Sequence, residues 1–366
     1  MFQFLFIFCT LIVFLGLNKG FFFSLSGKDR KPVFVISLFL LWILASFRTE
    51  IVGNDTGEYI RIFKESGNML ADGSTRFEFG YVYFNYLVSQ ITTQPRFFFI
   101  VTNIFIFFTY GHFMWKYSQR PKLTLVLFFL IVFGSIVNIL RQIIAICILL
   151  YSIEALLENK KIRFVFLVLL ATFFHTTAIL FFVVFPLYIY HVRVNKRVMF
   201  LFAIISVSSY IVFASLLSIA FSYFPMYEYY SLGKYFEGGM RMASVVKVCF
   251  SVFVISLGYI AYAKYATPQW KCSIEGRRYN LLLLLELVAV VINVMSLKVN
   301  LIDRLSLYFT ALSFVLISNA IQLLPVKNRR FITVLILFVY ISYSCITILY
   351  RPDWNKVYPI ELSLLL

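Results

Sequence analysis

Arg141 stands inside an apolar run from Leu123 to Leu157, where an arginine at a bilayer centre would cost about 3 kcal/mol. His175, one of three histidines, lies in the stretch FFHTTA. Asp55, Glu58 and Tyr59 share the stretch NDTGEY, and Arg48, Glu78, Gln142, Arg241 and Arg304 complete the set. Guanidinium groups match phosphate oxygens in pairs. An imidazole, with an ordinary pKa of about 6.5, can take a proton from a hydroxyl near neutrality. Carboxylates can orient a sugar or act as a base. The chemistry such residues support is the capture of a phosphate-bearing ligand and the movement of one proton.

Each residue also has a plainer reading. Arg141 could snorkel to lipid headgroups, His175 could hydrogen-bond a backbone carbonyl, and Asp303 with Arg304 could form a surface ion pair. The sequence lacks a Walker A loop, H-E-x-x-H, C-x-x-C and G-x-S-x-G. The five cysteines are scattered without metal spacing and read as small core residues. No metal and no cofactor are expected.

The elements that must position these residues are membrane helices. The 366-residue chain is 61% hydrophobic and 13% charged, against roughly 25% charged residues in soluble domains. Apolar runs close to the ~20 residues of a bilayer span recur from end to end. The net charge of +17 would suggest nucleic acid in a soluble protein; here it suggests cytoplasmic loops, and no nucleic-acid partner is expected. The first run has neither a basic start nor a cleavage site, so it reads as a span.

About twelve crossings (range 10–13) are expected, near 2–18, 33–47, 97–115, 122–138, 139–157, 163–174, 176–190, 198–222, 244–264, 279–297, 301–324 and 331–350. The run 123–157 is too long for one helix and should break near NILRQ; 164–190 should turn at FHTTA. With those breaks, the loops 19–32, 116–122, 158–163, 191–197, 264–278 and 325–330 hold 20 of 33 basic residues but 3 of 16 acidic ones. They read as cytoplasmic, with both termini outside. Arg48, Asp55, Glu58, Glu78, Arg141, His175, Arg241 and Arg304 then all fall at or beneath the outer face. The expected fold is a single all-α polytopic transmembrane domain, 1–366, with some spans short or broken.

Residues 48–96 form the longest outer loop. In NDTGEYIRIFKES, Asp55 is a candidate N-cap and Glu58 can close a capping box. Tyr59, Ile62 and Phe63 share one helix face. A second segment, FEFGYVYFNYLVSQI, should lie along the membrane or pack on the bundle. The tyrosine-rich outer loop at 223–243 suits a membrane interface, or sugar stacking.

Three stretches resemble the EpsG family of Wzy-like polysaccharide polymerases: FRTEIVGNDTGEYIRIFK, RFEFGYVYFNYLV, and the run from NILRQ to FFHTTAIL. The family pattern R-x-x-x-x-G-x-D-T-x-x-Y is met by Arg48, Gly53, Asp55, Thr56 and Tyr59. E-x-G-Y is met by Glu78, Gly80 and Tyr81, and I-R-Q with a following alanine by Arg141, Gln142 and Ala145, with Leu140 replacing the isoleucine. F-H-x-[ST]-A is met by His175, Thr177 and Ala178; R-x-x-x-Y-F by Arg304, Tyr308 and Phe309. Close similarity covers about 48–185, with looser echoes at 304–309 and in RPDWNKVYP.

The resemblance implies a Wzy/O-antigen-ligase-like (GT-C-like) architecture in the bacterial cytoplasmic membrane. It implies polymerisation of a surface polysaccharide (exopolysaccharide, capsule or O-antigen). The growing glycan would move from undecaprenyl pyrophosphate to the acceptor sugar of a lipid-linked repeat unit. A chain-length regulator and a flippase are the further partners it implies.

For that reaction Arg141 is the candidate pyrophosphate contact, with Arg48 and Arg304 as helpers. His175 is the candidate base, and Asp55 is its rival or orients the acceptor. Tyr59, Glu58, Glu78, Gln142 and Arg241 are candidate substrate contacts. One base and no covalent step would invert the anomeric centre, without a metal. A lipid-linked oligosaccharide flippase and a ligase-like transferase remain alternatives.

Overall fold

The computed structural model describes residues 1–14, 31–73, 75–223 and 241–364. They are helical throughout, with one isolated antiparallel bridge, Arg48 to Leu362. Within the single transmembrane domain expected, two compact units are distinguishable. Residues 1–180 with 325–366 form the first, and 181–324 form the second.

The first unit runs α1 (Phe2–Phe14), α2 (Lys31–Ser46), α3 (Thr56–Asp72), α4 (Phe79–Ser89), α5 (Pro95–Tyr117), α6 (Pro121–Ile131), α7 (Phe133–Asn138), α8 (Leu140–Leu157) and α9 (Lys161–Phe174). After a 3-10 turn, Thr176–Val183, the second unit holds α10 (Val184–Ile189), α11 (Lys196–Tyr223), α12 (Met242–Tyr265), α13 (Pro268–Cys272), α14 (Ile274–Met295), α15 (Leu307–Thr310) and α16 (Ser313–Leu323). Helix α17 (Val326–Tyr350) and the C-terminal segment return to the first unit.

Among the described residues, six helices are long and apolar enough to cross a membrane: Pro95–Tyr117, Leu140–Leu157, Lys196–Phe213, Met242–Tyr265, Ile274–Met295 and Val326–Tyr350. The pair Ile302–Thr310 and Ser313–Leu323, bent by 49°, makes a seventh if counted as one span. Phe2–Ile12, Lys31–Ser46, Pro121–Ile131 and Thr176–Ile189 are apolar but shorter. This is a polytopic membrane architecture, with further apolar helices too short by themselves to count as crossings.

The two long runs break where the sequence suggested. The first is interrupted at Val132 and again at Ile139, where φ is −117° and ψ 53°. The second stops at Phe174, and His175 is extended at φ −156°, ψ 109°. Ionisable side chains within the spans have partners: Glu154 meets Lys116, Lys247 meets Asp303, and one oxygen of Glu286 accepts from Ser313. Such pairing is what low dielectric demands. Most of the loop at 223–243 lies outside the described residues.

The outer loop differs from expectation in its capping. Asp55 sits at the N-cap position of α3 but makes no side-chain cap bond. A capping side chain works from an extended backbone, whereas Asp55 has φ −106° and ψ 2°. Glu58 closes no box either. It accepts from Arg61 Nε and Nη2 (2.9 and 2.8 Å) and from Arg76 (3.2 Å), so hydrogen bonds from Arg61 hold its carboxyl below the ordinary range. The amphipathic face is as expected: Tyr59, Ile62 and Phe63 are buried.

Helix α4 packs on the bundle, against α3 and α9, burying Tyr81, Val82 and Val88. Gly80 makes the approach possible. A Cβ there would lie 2.7 Å from the Phe173 carbonyl oxygen and 2.8 Å from its Cβ.

Candidate functional site

Three helix ends in the first unit bring the chemically capable side chains together. Glu78 is at the N-cap position of α4, Arg141 lies in the first turn of α8, and His175 directly follows α9. Glu78 Oε2 accepts a hydrogen bond from Arg141 Nη1. Glu78 Oε1 accepts from the Thr176 amide at 3.2 Å and lies 3.8 Å from His175 Nδ1. Thr177 Oγ1 is 3.0 Å from the same ring nitrogen. One carboxylate thus bridges an arginine and a histidine that are 34 residues apart in sequence.

These groups are neither sealed nor fully solvated. Side-chain exposures are 14% for Glu78, 27% for Arg141 and 25% for His175. The Arg141 guanidinium lies 4.9 Å from the Phe77 ring centroid and 5.9 Å from that of Tyr81. Cation–π contact orients the planar group and strengthens where water is excluded. An anion reaching this point would meet a guanidinium held by one carboxylate and two rings.

The break before Arg141 is held from outside its own helix. Tyr59 Oη donates to the Asn138 carbonyl (2.8 Å) and accepts from the Leu140 amide (2.9 Å). It thereby replaces helix bonds lost at Ile139. Tyr59 is buried, and its phenol is pushed up, first by burial and then by the nearby Asp55 carboxylate. In the structure its hydroxyl ties the backbone on either side of Ile139; the sequence suggested a substrate contact.

Arg48 is also placed differently from the expected outer-facing helper. Its side chain is wholly buried. Nε donates to Thr56 Oγ1 at 3.1 Å, Nη1 donates to the Ala45 carbonyl, and Cζ sits 4.4 Å from the Phe99 centroid. Burial pushes this guanidinium down to about 10. Arg96 adds to the tie by donating to the Ser46 and Arg48 carbonyls (2.6 and 2.8 Å).

Gln142, next to Arg141, is buried. Asp55 is half-buried, one turn before Tyr59. Arg241 and Arg304 are exposed and belong to the second unit, where Asp303 accepts from Lys247. Among the described residues, no three His, Cys, Asp or Glu side chains group as metal ligands.

Sequence reading gave no role to Asn138 and singled out RPDWNKVYP in the C-terminal segment without a contact for it. Asn138 Oδ1 accepts from the Asn54 amide at 2.7 Å, and Nδ2 donates to the Gly134 and Asn355 carbonyls, both at 2.9 Å. Asn54 Nδ2 reaches the Trp354 carbonyl at 2.7 Å, and the Gly53 amide reaches the Lys356 carbonyl at 2.9 Å. The early signals were an asparagine in the stretch where the helix had to break and the family echo in RPDWNKVYP.

Bilayer-length helices with an arginine–carboxylate–histidine cluster at their broken ends define a multi-pass membrane protein with a polar site. Compared with known families, residues 31–362 match the EpsG family. The chain therefore belongs to that family, one of Wzy-like polysaccharide polymerases. Comparison with curated proteins and with solved structures gives no match.

Proposed function

We propose that this protein is a glycosyltransferase-type polymerase acting at the outer face of the bacterial cytoplasmic membrane. It moves the growing glycan from undecaprenyl pyrophosphate onto the acceptor sugar of a lipid-linked repeat unit. The observation that carries this reading is the Glu78 carboxylate bridging Arg141 and His175. The distribution of basic residues among the loops supports the reading, since twelve crossings with both termini outside would put all three on the side where such units are presented.

In this mechanism the acceptor hydroxyl attacks the anomeric carbon as the bond to the pyrophosphate oxygen breaks. The leaving electron pair stays on the pyrophosphate, beside Arg141, whose fixed guanidinium stabilises the growing charge. The hydroxyl proton passes to His175. In this mechanism Nδ1 carries a proton donated to Thr177 Oγ1 at 3.0 Å, with the Glu78 carboxylate 3.8 Å away favouring that charge, and the lone pair that accepts lies on Nε2. Asp55 orients the acceptor sugar. Single displacement inverts the anomeric centre, and no step calls for a metal. The reading rests on first-unit residues alone. A flippase and a chain-length regulator are the partners it calls for.

The test is complementation of a strain lacking this protein with wild type, Arg141→Ala, Arg141→Lys, Glu78→Gln or His175→Ala, matched for membrane abundance. The expected result is a polysaccharide ladder from wild type and accumulated single repeat units from the variants. A normal ladder from both Arg141→Ala and His175→Ala would remove the site assignment. Failure of wild type to restore any ladder would remove the function.

A further inference from the structure

Asn138 uses its whole amide to join three separate stretches of chain. Its oxygen takes the Asn54 amide hydrogen, and its nitrogen serves Gly134 in its own helix and Asn355 in the C-terminal segment. Its main-chain carbonyl takes the Tyr59 hydroxyl hydrogen. Asn54 immediately precedes Asp55, and Asn138 lies three residues before Arg141. The side chain is buried, at 7% exposure.

The loop it grips is pressed close. Gly53 has φ +88°, and a Cβ there would sit 2.9 Å from both Val137 Cγ1 and the Val137 carbonyl oxygen. The pattern calls for a side-chain amide, with one acceptor and two donors. Aspartate keeps the acceptor but loses both donors, and turns a charge toward two carbonyls. Alanine loses every side-chain bond and leaves buried groups unpaired.

We propose that Asn138 is a positioning residue that fixes the Asp55 loop against Arg141, with the backbone of Trp354–Lys356 as the third member of the clamp. Resting on the polymerase reading above, the clamp sets the acceptor sugar, at Asp55, in line with the donor pyrophosphate, at Arg141. A misplacement of about 1 Å in such an arrangement lowers turnover by about 100-fold.

The test uses full-length protein in lipid nanodiscs and, as substrate, lipid-linked repeat units extracted from the strain lacking it. Asn138→Ala is expected to lower kcat by about 100-fold with KM within about threefold of wild type. Asp55→Asn added to Asn138→Ala should lower kcat by less than about threefold more, although alone it costs far more, because residues acting as one unit are not additive. Gly53→Ala, whose methyl would push the loop away from Val137, should reproduce the kcat loss and stands in if Asn138→Ala fails to fold.

Amide hydrogen exchange supplies a readout independent of activity: in Asn138→Ala, residues 53–56 and 354–357 should lose protection while α5 keeps it. Wild-type kcat in Asn138→Ala, multiplying effects in the double variant, or unchanged protection would each overturn the proposal. An inactive wild type with the expected loss of protection would instead fault the polymerase reading and leave the clamp standing.

Discussion

At the scale of single residues, the distinction that matters is between arginines that can meet a ligand and arginines that hold the protein. Arg141 keeps a quarter of its side chain open beside Glu78, whereas Arg48 is wholly enclosed. Arg141→Lys keeps the charge but loses the planar fork, so polymer synthesis should fall by about 100-fold at matched membrane abundance, read on ladder gels. Arg48→Ala should act first on stability. Two hydrogen bonds and a ring contact disappear and a buried cavity forms, lowering stability by about 3 kcal/mol. Thermal unfolding in detergent checks this; a wild-type midpoint with lost activity would return Arg48 to the role of ligand contact.

At the scale of elements, the site depends on how closely α4 and α9 approach. Gly80→Ala places a methyl against the Phe173 backbone and should cost about 1–3 kcal/mol. It should also reduce synthesis beyond what the remaining folded protein explains, because Glu78 and His175 sit at the adjoining ends of these helices. Helix α3 supplies a pH-dependent contribution. The Glu58 carboxyl is lowered in the folded protein by Arg61, so its contribution is present above the ordinary glutamate value and is lost as pH falls through the lower, folded one. The group is partly exposed, and surface pairs contribute about 0.2–1 kcal/mol. Wild type should therefore lose its margin over Glu58→Gln on acidification, with the unfolding midpoints converging below about pH 4. Midpoints that stay separated there would show that Glu58 acts by other than charge.

At the scale of the whole molecule, the C-terminal segment closes the first unit over its outer loop. Besides the Lys356, Asn355 and Trp354 carbonyls, the Glu361 carbonyl accepts from the Thr49 amide and the Ser363 amide donates to the Phe47 carbonyl, both at 2.8 Å. Gln3 in α1 donates to the Ile360 carbonyl, also at 2.8 Å. Deleting residues 352–366 removes all of these at once. The truncated protein should still insert, because α17 is intact, but should make no polymer and should be nicked by protease within 48–56. An uncut loop with normal ladders would show the segment to be dispensable.

The sequence by itself determined that this is a helical membrane protein, where its apolar runs break, and which residue types gather near those breaks. Those features follow from burial and chain length: an apolar run of fixed rise per residue must end near the limits of the bilayer, and charge must lie near those ends. The amphipathic face of α3 was legible because helical spacing alone fixes it. Only the tertiary structure decided what the polar residues do. Glu58 and Arg48, expected as ligand contacts, meet Arg61 and Thr56 with Ala45 in the structure. Glu78 became the bridge between Arg141 and His175, and Asn138 became a junction with a segment 217 residues away. Hydrogen bonds at the ends of helices join residues remote in sequence, and no periodicity records which pairs will meet.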